Sequence, residues 1–303
     1  MPGQGNLGSL TIDANGNWDY QVPNADVQFL GEGETKVETF TVQSVDGSQH
    51  SITVTIIGVN DSAIISGDDI GAVVEDTSTP LLTDNGSLRA SDVDTNNSGL
   101  FNINSVSAVG AVLGSLSINE LGDWQYQVDN ALVQYLGEGE TKIEQFTVQT
   151  DDGTEQVITI TITGVNDGAI ISGDAIGAVT EEESDPLLTD FGKLAVTDVD
   201  QGQAVFDPNG ITSAPGTLGA LTIDPEGNWN YQVSNADVQF LGEGETKLET
   251  FTVTSIDGTE HTVEITITGV NDSAVIGGDD IGQVIEDSAS PTCLLYTSDA
   301  ADD

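Results

Sequence analysis

The chain has 303 residues and a formal net charge of −46, set by 51 Asp and Glu against five Lys and Arg. Such a surface repels phosphate, so nucleic acid and anionic membranes are excluded as partners and cations are favoured. One Cys excludes a disulfide framework, and no run approaches the ~20 apolar residues of a membrane span. Acidity alone would also suit a disordered segment, but hydrophobic residues are 37% of the chain and they alternate in order.

Near the start, residues 3–13 (GQGNLGSLTID) match text that recurs inside later repeats, at Gly110–Asn119 and Pro215–Asp224. The N-terminus is therefore expected to cut into a module, which makes the lack of a signal peptide uninformative. The stretch Leu30–Asp61 recurs nearly unchanged at Leu136–Asp167 and Leu241–Asp272. Trp18, Trp124 and Trp229 lie 106 and 105 residues apart, and the Gly-Val-Asn-Asp motifs at Gly58, Gly164 and Gly269 keep the same spacings. A period of that length is a whole small domain rather than a solenoid unit. The expected division is a C-terminal part of a truncated module at 1–61, complete modules at 62–167 and 168–272, and the start of a further module at 273–291. Residues 292–303, with CLLYTSDAADD, leave the repeat register and resemble translated sequencing adapter. They are set aside as a non-native tail.

Each module predicts about seven short strands bracketed by turn residues. In the second complete copy, strand A is expected at Ile170–Thr180, B at Lys193–Thr197 and C around Ala204–Thr212. D and E form a hairpin, Ala220–Asp224 and Trp229–Val233, turned by Pro225-Glu226-Gly227-Asn228. F follows at Glu249–Thr254 and G at Thr262–Thr268. In the copy before it, Ile158, Ile160 and Ile162 alternate with Thr159, Thr161 and Thr163, the mark of a half-buried antiparallel strand. The same alternation puts Trp124, Tyr126 and Val128 on one face, as core. Between E and F, Asn24-Ala-Asp-Val-Gln-Phe-Leu spaces Val27 and Leu30 for one helical turn, read as a core plug at the end of the module. The predicted fold class is all-β, as tandem Ig-like antiparallel sandwiches of about seven strands placed end to end.

The recurring motifs are Val74-Glu-Asp-Thr77, Ser91-Asp-Val-Asp94, Gly114–Tyr126, Leu136-Gly-Glu-Gly-Glu-Thr141 and Gly164-Val-Asn-Asp167. Together they resemble the VCBS repeat family, and the resemblance covers everything except the tail. It implies cadherin-like sandwiches in very large secreted or surface-attached bacterial proteins, many of them RTX-type adhesins exported by type I secretion. It implies no single ligand. The linker departs from that of true cadherins, which is longer and richer in Asp.

Strand parity places the acids. Seven alternating strands put the A–B and E–F connections at the outgoing pole of a module, and the B–C and F–G connections at the incoming pole. Glu75, Asp76, Glu138 and Glu140 then gather where Asn166-Asp167 leaves. Asp198, Asp200 and Asp257 gather at the incoming pole of the next module. A hard dication with six to eight oxygen ligands would neutralise such a cluster. The same rule assembles Asn60, Asp61, Asp92, Asp94 and Asp152 around Asp61, and Glu181, Glu182, Glu243, Glu245, Asn271 and Asp272 around Asp272. Only the set around Asp167 has all its parts, so it is expected to bind calcium most tightly. Asp152-Gly153 and Asp257-Gly258 are also ordinary hairpin-turn pairs, and the Glu-Gly-Glu segments also suit solvated loops. Asp13-x-x-Gly-Asn imitates the start of an EF-hand loop but lacks the closing Glu.

No enzyme chemistry is expected. His50 and His261 occupy equivalent places, where the middle copy has Gln156. Neither has a Ser or Cys partner in a repeated motif, and no Gly-rich loop opens a helix. The acid pairs fall at module ends rather than in a sugar cleft. The leading expectation is an extracellular or cell-surface extender, stiffened by structural Ca2+, that serves adhesion or biofilm formation. Its partners would be neighbouring modules of the same chain. The alternative is a binding module that meets surface glycans, proteins or another copy of itself, with the Trp rings as platforms.

Overall fold

The computed structural model describes residues 5–95, 99–181, 186–278 and 281. The chain divides into two units, residues 1–167 with 198–202, and residues 168–197 with 203–303. In the first unit, β1 (Ser9–Ile12) pairs with β2 (Trp18–Gln21), and β3 (Thr35–Gln43) pairs with β4 (Gln49–Ile57). The same unit continues through β5 (Ile64–Gly67), β6 (Ile70–Val74), β7 (Leu81–Ser91) and β8 (Ser107–Ala108). It closes with β9 (Ser115–Ile118), β10 (Asp123–Asp129), β11 (Thr141–Gln149) and β12 (Glu155–Thr163). These eight strands form two four-stranded sheets, ordered β5-β7-β10-β9 and β6-β12-β11-β8. The second unit repeats the plan with β13 (Ile170–Gly173), β14 (Ile176–Thr180), β15 (Leu187–Thr197) and β16 (Thr212–Ser213). It then adds β17 (Ala220–Ile223), β18 (Asn228–Ser234), β19 (Thr246–Thr254) and β20 (Glu260–Thr268). Its sheets are β13-β15-β18-β17 and β14-β20-β19-β16.

Alternation builds the core as expected. Ile158, Ile160 and Ile162 are fully buried, and Trp124, Tyr126 and Val128 pack against them with Phe146 and Val148. The 3-10 turn Asn130–Leu132 closes one end, where Val133 and Leu136 are buried.

The expected strand A is in fact two strands. β13 pairs antiparallel with β15, whereas β14 crosses to the other sheet and pairs parallel with β20. The switch falls at Gly173, whose φ is 118°, and at Asp174, whose carbonyl accepts the indole N–H of Trp229 at 2.7 Å. An L side chain is strained at that φ, so the kink is fixed by the glycine. Strand C shrinks to the two residues of β16.

The three tryptophans differ. Trp124 and Trp229 are 2% exposed, whereas Trp18 is 50% exposed. Trp124 is covered by β7, where a Cβ on Gly86 would sit 2.3 Å from the indole ring. Residues 5–61 contain no equivalent of β7. Acrylamide is therefore expected to quench one tryptophan of three in the folded chain and to spare the other two. Uniform strong quenching would contradict the buried positions of Trp124 and Trp229.

Candidate metal centre

The acids are placed by the ends of strands. β6 runs parallel to β12, and the ladder continues one step as the Glu75 N–H donates to the Thr163 carbonyl at 2.9 Å. This turns the Glu75 side chain inward, where it is 1% exposed. Its Oε2 accepts the Val165 N–H at 3.0 Å and its Oε1 accepts Gln134 Nε2 at 2.6 Å. Asp76 follows at φ 59°, a left-handed conformation that is uncommon outside glycine. After β12 the chain runs through Asn166 to Asp167. The Asp167 N–H donates to Asp200 Oδ2 at 3.0 Å, and the Asp200 N–H donates to Asp198 Oδ1 at 2.9 Å. The next residue, Gln201, donates its N–H to the Tyr135 carbonyl at 3.0 Å. Glu75, Asp76, Asn166, Asp167, Asp198 and Asp200 all belong to the first unit.

The set around Asp61 is built the same way. The Asp61 N–H donates to Asp94 Oδ2 at 3.0 Å, the Asp94 N–H donates to Asp92 Oδ1 at 2.9 Å, and the Thr95 N–H donates to the Phe29 carbonyl at 2.9 Å. Asn60 enters from the same linker. In the second unit, Glu181 is 1% exposed and accepts the Val270 N–H at 3.3 Å and the amide of Gln239. Glu182 lies outside the described residues. Asn271 and Asn166 share one posture, each donating Nδ2 to the carbonyl of the following Asp, Asp272 or Asp167, at 3.2 Å.

The first-unit acids are under electrostatic stress. Burial pushes the Asp167 carboxyl up, and the charges of Asp76, Asp200 and Asp198 push it further. Burial likewise raises Glu75, assisted by Asp167 and Asp76, and the Val165 N–H only partly offsets this. Four carboxylate oxygens, Asp92 Oδ2, Asp94 Oδ1, Asp167 Oδ2 and Asp198 Oδ2, are stripped of solvent and accept no hydrogen bond. An ionised oxygen in that condition costs free energy unless it is paired or coordinates a metal. The donor set is hard oxygen throughout, the chemistry that suits Ca2+ or Mg2+ rather than a soft metal. Among the described residues, no three acidic, His or Cys side chains are grouped so that they could hold a metal ion as they stand.

Other acids are already occupied. Burial raises Asp152, but hydrogen bonds from Thr150, Thr154 and the Ala63 N–H outweigh it and hold the carboxyl well below its ordinary value. Asp257 does the same with Ser255, Thr259 and the Ala169 N–H, and is held at about 2. These residues lock turns and fasten the linker. Glu140 Oε2 accepts the Gly137 N–H at 3.3 Å, closing its own loop. Asp13 accepts the Asn15 and Asn17 N–H groups, an Asx turn rather than a metal loop.

Sequence reasoning missed two residues at this site. Asn130 exchanges two hydrogen bonds with Asp76, accepting its N–H at 3.0 Å and donating Nδ2 to Oδ1 at 2.6 Å. Gln134 reaches both Glu75 and Asp76. The recurrence of Asn and Gln four apart, at Asn24/Gln28, Asn130/Gln134 and Asn235/Gln239, was the available signal.

The family model described as "Bacterial cadherin-like domain" matches residues 60–164 and 166–269. No curated protein sequence matches the chain. Among solved structures, the protocadherin γB4 extracellular domain is similar at 12% identity and a TM-score of 0.45, over 89% of this chain and 43% of that one. Mouse cadherin-23 EC22-24 is similar at 16% identity and a TM-score of 0.42, over 88% and 87%. Protocadherin γB3 EC1-4 is similar at 10% identity and a TM-score of 0.43, over 90% and 66%. The chain thus spans less than two thirds of either the γB3 or the γB4 chain.

Proposed function

Because the chain belongs to the bacterial cadherin-like domain family, we propose that it is a calcium-stiffened extender of a large secreted or cell-surface bacterial adhesin, without enzymatic activity. The observation that carries this reading is the group of solvent-stripped carboxylate oxygens on Asp92, Asp94, Asp167 and Asp198, none of which accepts a hydrogen bond. A bound Ca2+ would supply the positive charge that these oxygens lack and would favour the ordered linker. Glu75, Asp76, Asn166, Asp167, Asp198 and Asp200 would hold one ion or more. Asn60, Asp61, Asp92 and Asp94 would form a second set, and Glu181, Glu182, Asn271 and Asp272 a partial third. The set around Asp167 would bind most tightly, because acids from both sides of its linker are present.

Finer features of the reading follow the motifs. The modules would be VCBS-like, with bounds at 1–61, 62–167, 168–272 and 273–291. The setting would be type I secretion and biofilm. The burial of Trp124 and Trp229 counts against the alternative, a glycan-binding or self-associating module with those rings as platforms. Small-angle scattering with calcium and with excess chelator tests the extender role. The expected result is a larger and better-defined maximum dimension in calcium. Superimposable profiles would defeat it.

A further inference from the structure

The 3-10 turn between β10 and β11 carries more than core residues. Val133 and Leu136 face the core, but Asn130 and Gln134 turn their amides toward Glu75 and Asp76. We propose that Asn130 and Gln134 are positioning residues for the divalent cation site, holding the Glu75–Asp76 pair in a ligating posture without neutralising it. This rests on the reading of Asp167 and its neighbours as a cation site.

Three observations support the inference. First, Gln134 Nε2 bridges the two acids, reaching Glu75 Oε1 at 2.6 Å and Asp76 Oδ1 at 3.1 Å. Two adjacent carboxylates repel each other, and a shared donor draws them together. Second, the pair of bonds between Asn130 and Asp76 holds the backbone at φ 59°, where an Asp is otherwise uncommon. Asn130 is itself buried, at 6% exposure, so its amide has few other places to point. Third, the donors are amides. A Lys or Arg at position 134 would also hold the acids, but it would cancel the charge that attracts a cation. The bonds engage Oδ1 of Asp76 and leave Oδ2 outside them.

The second unit repeats the arrangement in part. Gln239 donates to Glu181, and Asn235 occupies the place of Asn130. The same turn in two copies, with its amide on the acid that ends a strand, separates this device from an incidental surface contact.

The test is calcium titration of the full chain by calorimetry, paired with melting in excess chelator. Gln134→Ala is expected to weaken the tightest class of calcium sites about tenfold, the lower end of what removing an outer partner of a metal ligand does. Melting in chelator reports the lost contacts with Glu75 and Asp76 alone, and the positioning role is read from the further fall in melting temperature that appears only in calcium. Gln239→Ala serves as a control and should leave the tightest class unchanged. In a Glu75→Gln, Asp76→Asn background, Gln134→Ala should add no further loss, because the residue acts through those two acids. If the unaltered chain binds calcium and Gln134→Ala stays within twofold of it, the positioning role is overturned while the cation site stands. If the unaltered chain binds no calcium, both are overturned.

Discussion

Asp167→Asn is expected to raise the melting temperature in excess chelator and to lower it in calcium. The reversal follows from the surroundings of the group. Burial and the charges of Asp76, Asp200 and Asp198 disfavour the ionised Asp167 carboxylate, and Glu75 is raised by burial and by the charges of Asp167 and Asp76. A carboxyl whose folded pKa exceeds its unfolded value costs nothing below the unfolded value, 3.8 for Asp and 4.5 for Glu. The cost grows as pH rises through the folded pKa and is fully present above it. Metal-free protein should therefore lose this part of its stability with rising pH, and the Asn variant should escape it. Asp152 and Asp257 act in the opposite sense. Their folded values are depressed, so the stability they supply is present above 3.8 and is lost as pH falls through those folded values, about 2 for Asp257 and lower for Asp152. Calcium bound at the proposed site would reverse the sign at Asp167, because a ligand that binds only the folded chain at 100 times its Kd adds about 2.7 kcal/mol. For a module of this size each kcal/mol moves Tm by roughly 4–8 °C. A calcium-dependent rise of about 10 °C or more is the expected calorimetric result, most of it lost in Asp167→Asn. A variant that melts lower than the unaltered chain in both conditions would show that Asp167 is a structural acid and not a ligand.

Much of this was legible in the sequence, for physical reasons that differ from part to part. Strand G declared itself through Ile158, Ile160 and Ile162, because a pleated strand with one buried face must alternate. Strand parity then placed Glu75 beside Asp167 with no knowledge of contacts, and it placed Asp198 and Asp200 there too. The break of strand A at Gly173 was not legible. The residues on either side continue one apolar alternation, and the partner change is imposed by a left-handed glycine and a bond to Asp174 from Trp229, a residue 55 positions further on. The roles of Asn130 and Gln134 were hidden for a similar reason. Val27 and Leu30, three apart, suggested a core plug, which the burial of Val133 and Leu136 in the next copy supports, but the polar residues of the turn pointed at acids ~55 residues earlier. Asp152 and Asp257 show the converse. Their Asp-Gly pairs fitted both a turn and a ligand, and the structure bonds them within their turns to the hydroxyls of Thr150 and Ser255.

Glu144→Gln, a change of one atom, is expected to destabilise its module by about 3 kcal/mol, twice the ~1.5 kcal/mol at the low end for a hydrogen bond to a charged group. Glu144 shares the inward face of β11 with Phe146 and Val148 and is 1% exposed. No Lys or Arg is bonded to it among the described residues, where the one ion pair is Arg89–Asp123. Its charge is held by donors instead. Oε1 accepts the Leu113 N–H at 2.5 Å, and Oε2 accepts the Gly114 N–H at 3.1 Å and the Tyr126 hydroxyl at 2.8 Å. Burial, then the bond to Glu144, keeps the Tyr126 hydroxyl protonated far above its ordinary range. The site thus presents three donors to two acceptor oxygens. A glutamine offers one oxygen, and its –NH2 must face either a backbone N–H or the phenol. At least one buried donor is then left unpaired, which costs about 1–3 kcal/mol by itself, beyond the lost charge-assisted bonds. Gly114 cannot yield to relieve the contact, since even a Cβ there would lie 2.2 Å from the Tyr126 oxygen. Tyr126→Phe is the milder control, because Glu144 keeps both backbone N–H donors, and about 1 kcal/mol is the expected loss. Urea unfolding followed at constant slope separates the two variants. If Glu144→Gln cost no more than Tyr126→Phe, the carboxylate would not be the anchor of the segment before β9. Glu249 with Tyr231 and Glu38 with Tyr20 keep the same bonds, so equivalent changes in those copies should follow the same order.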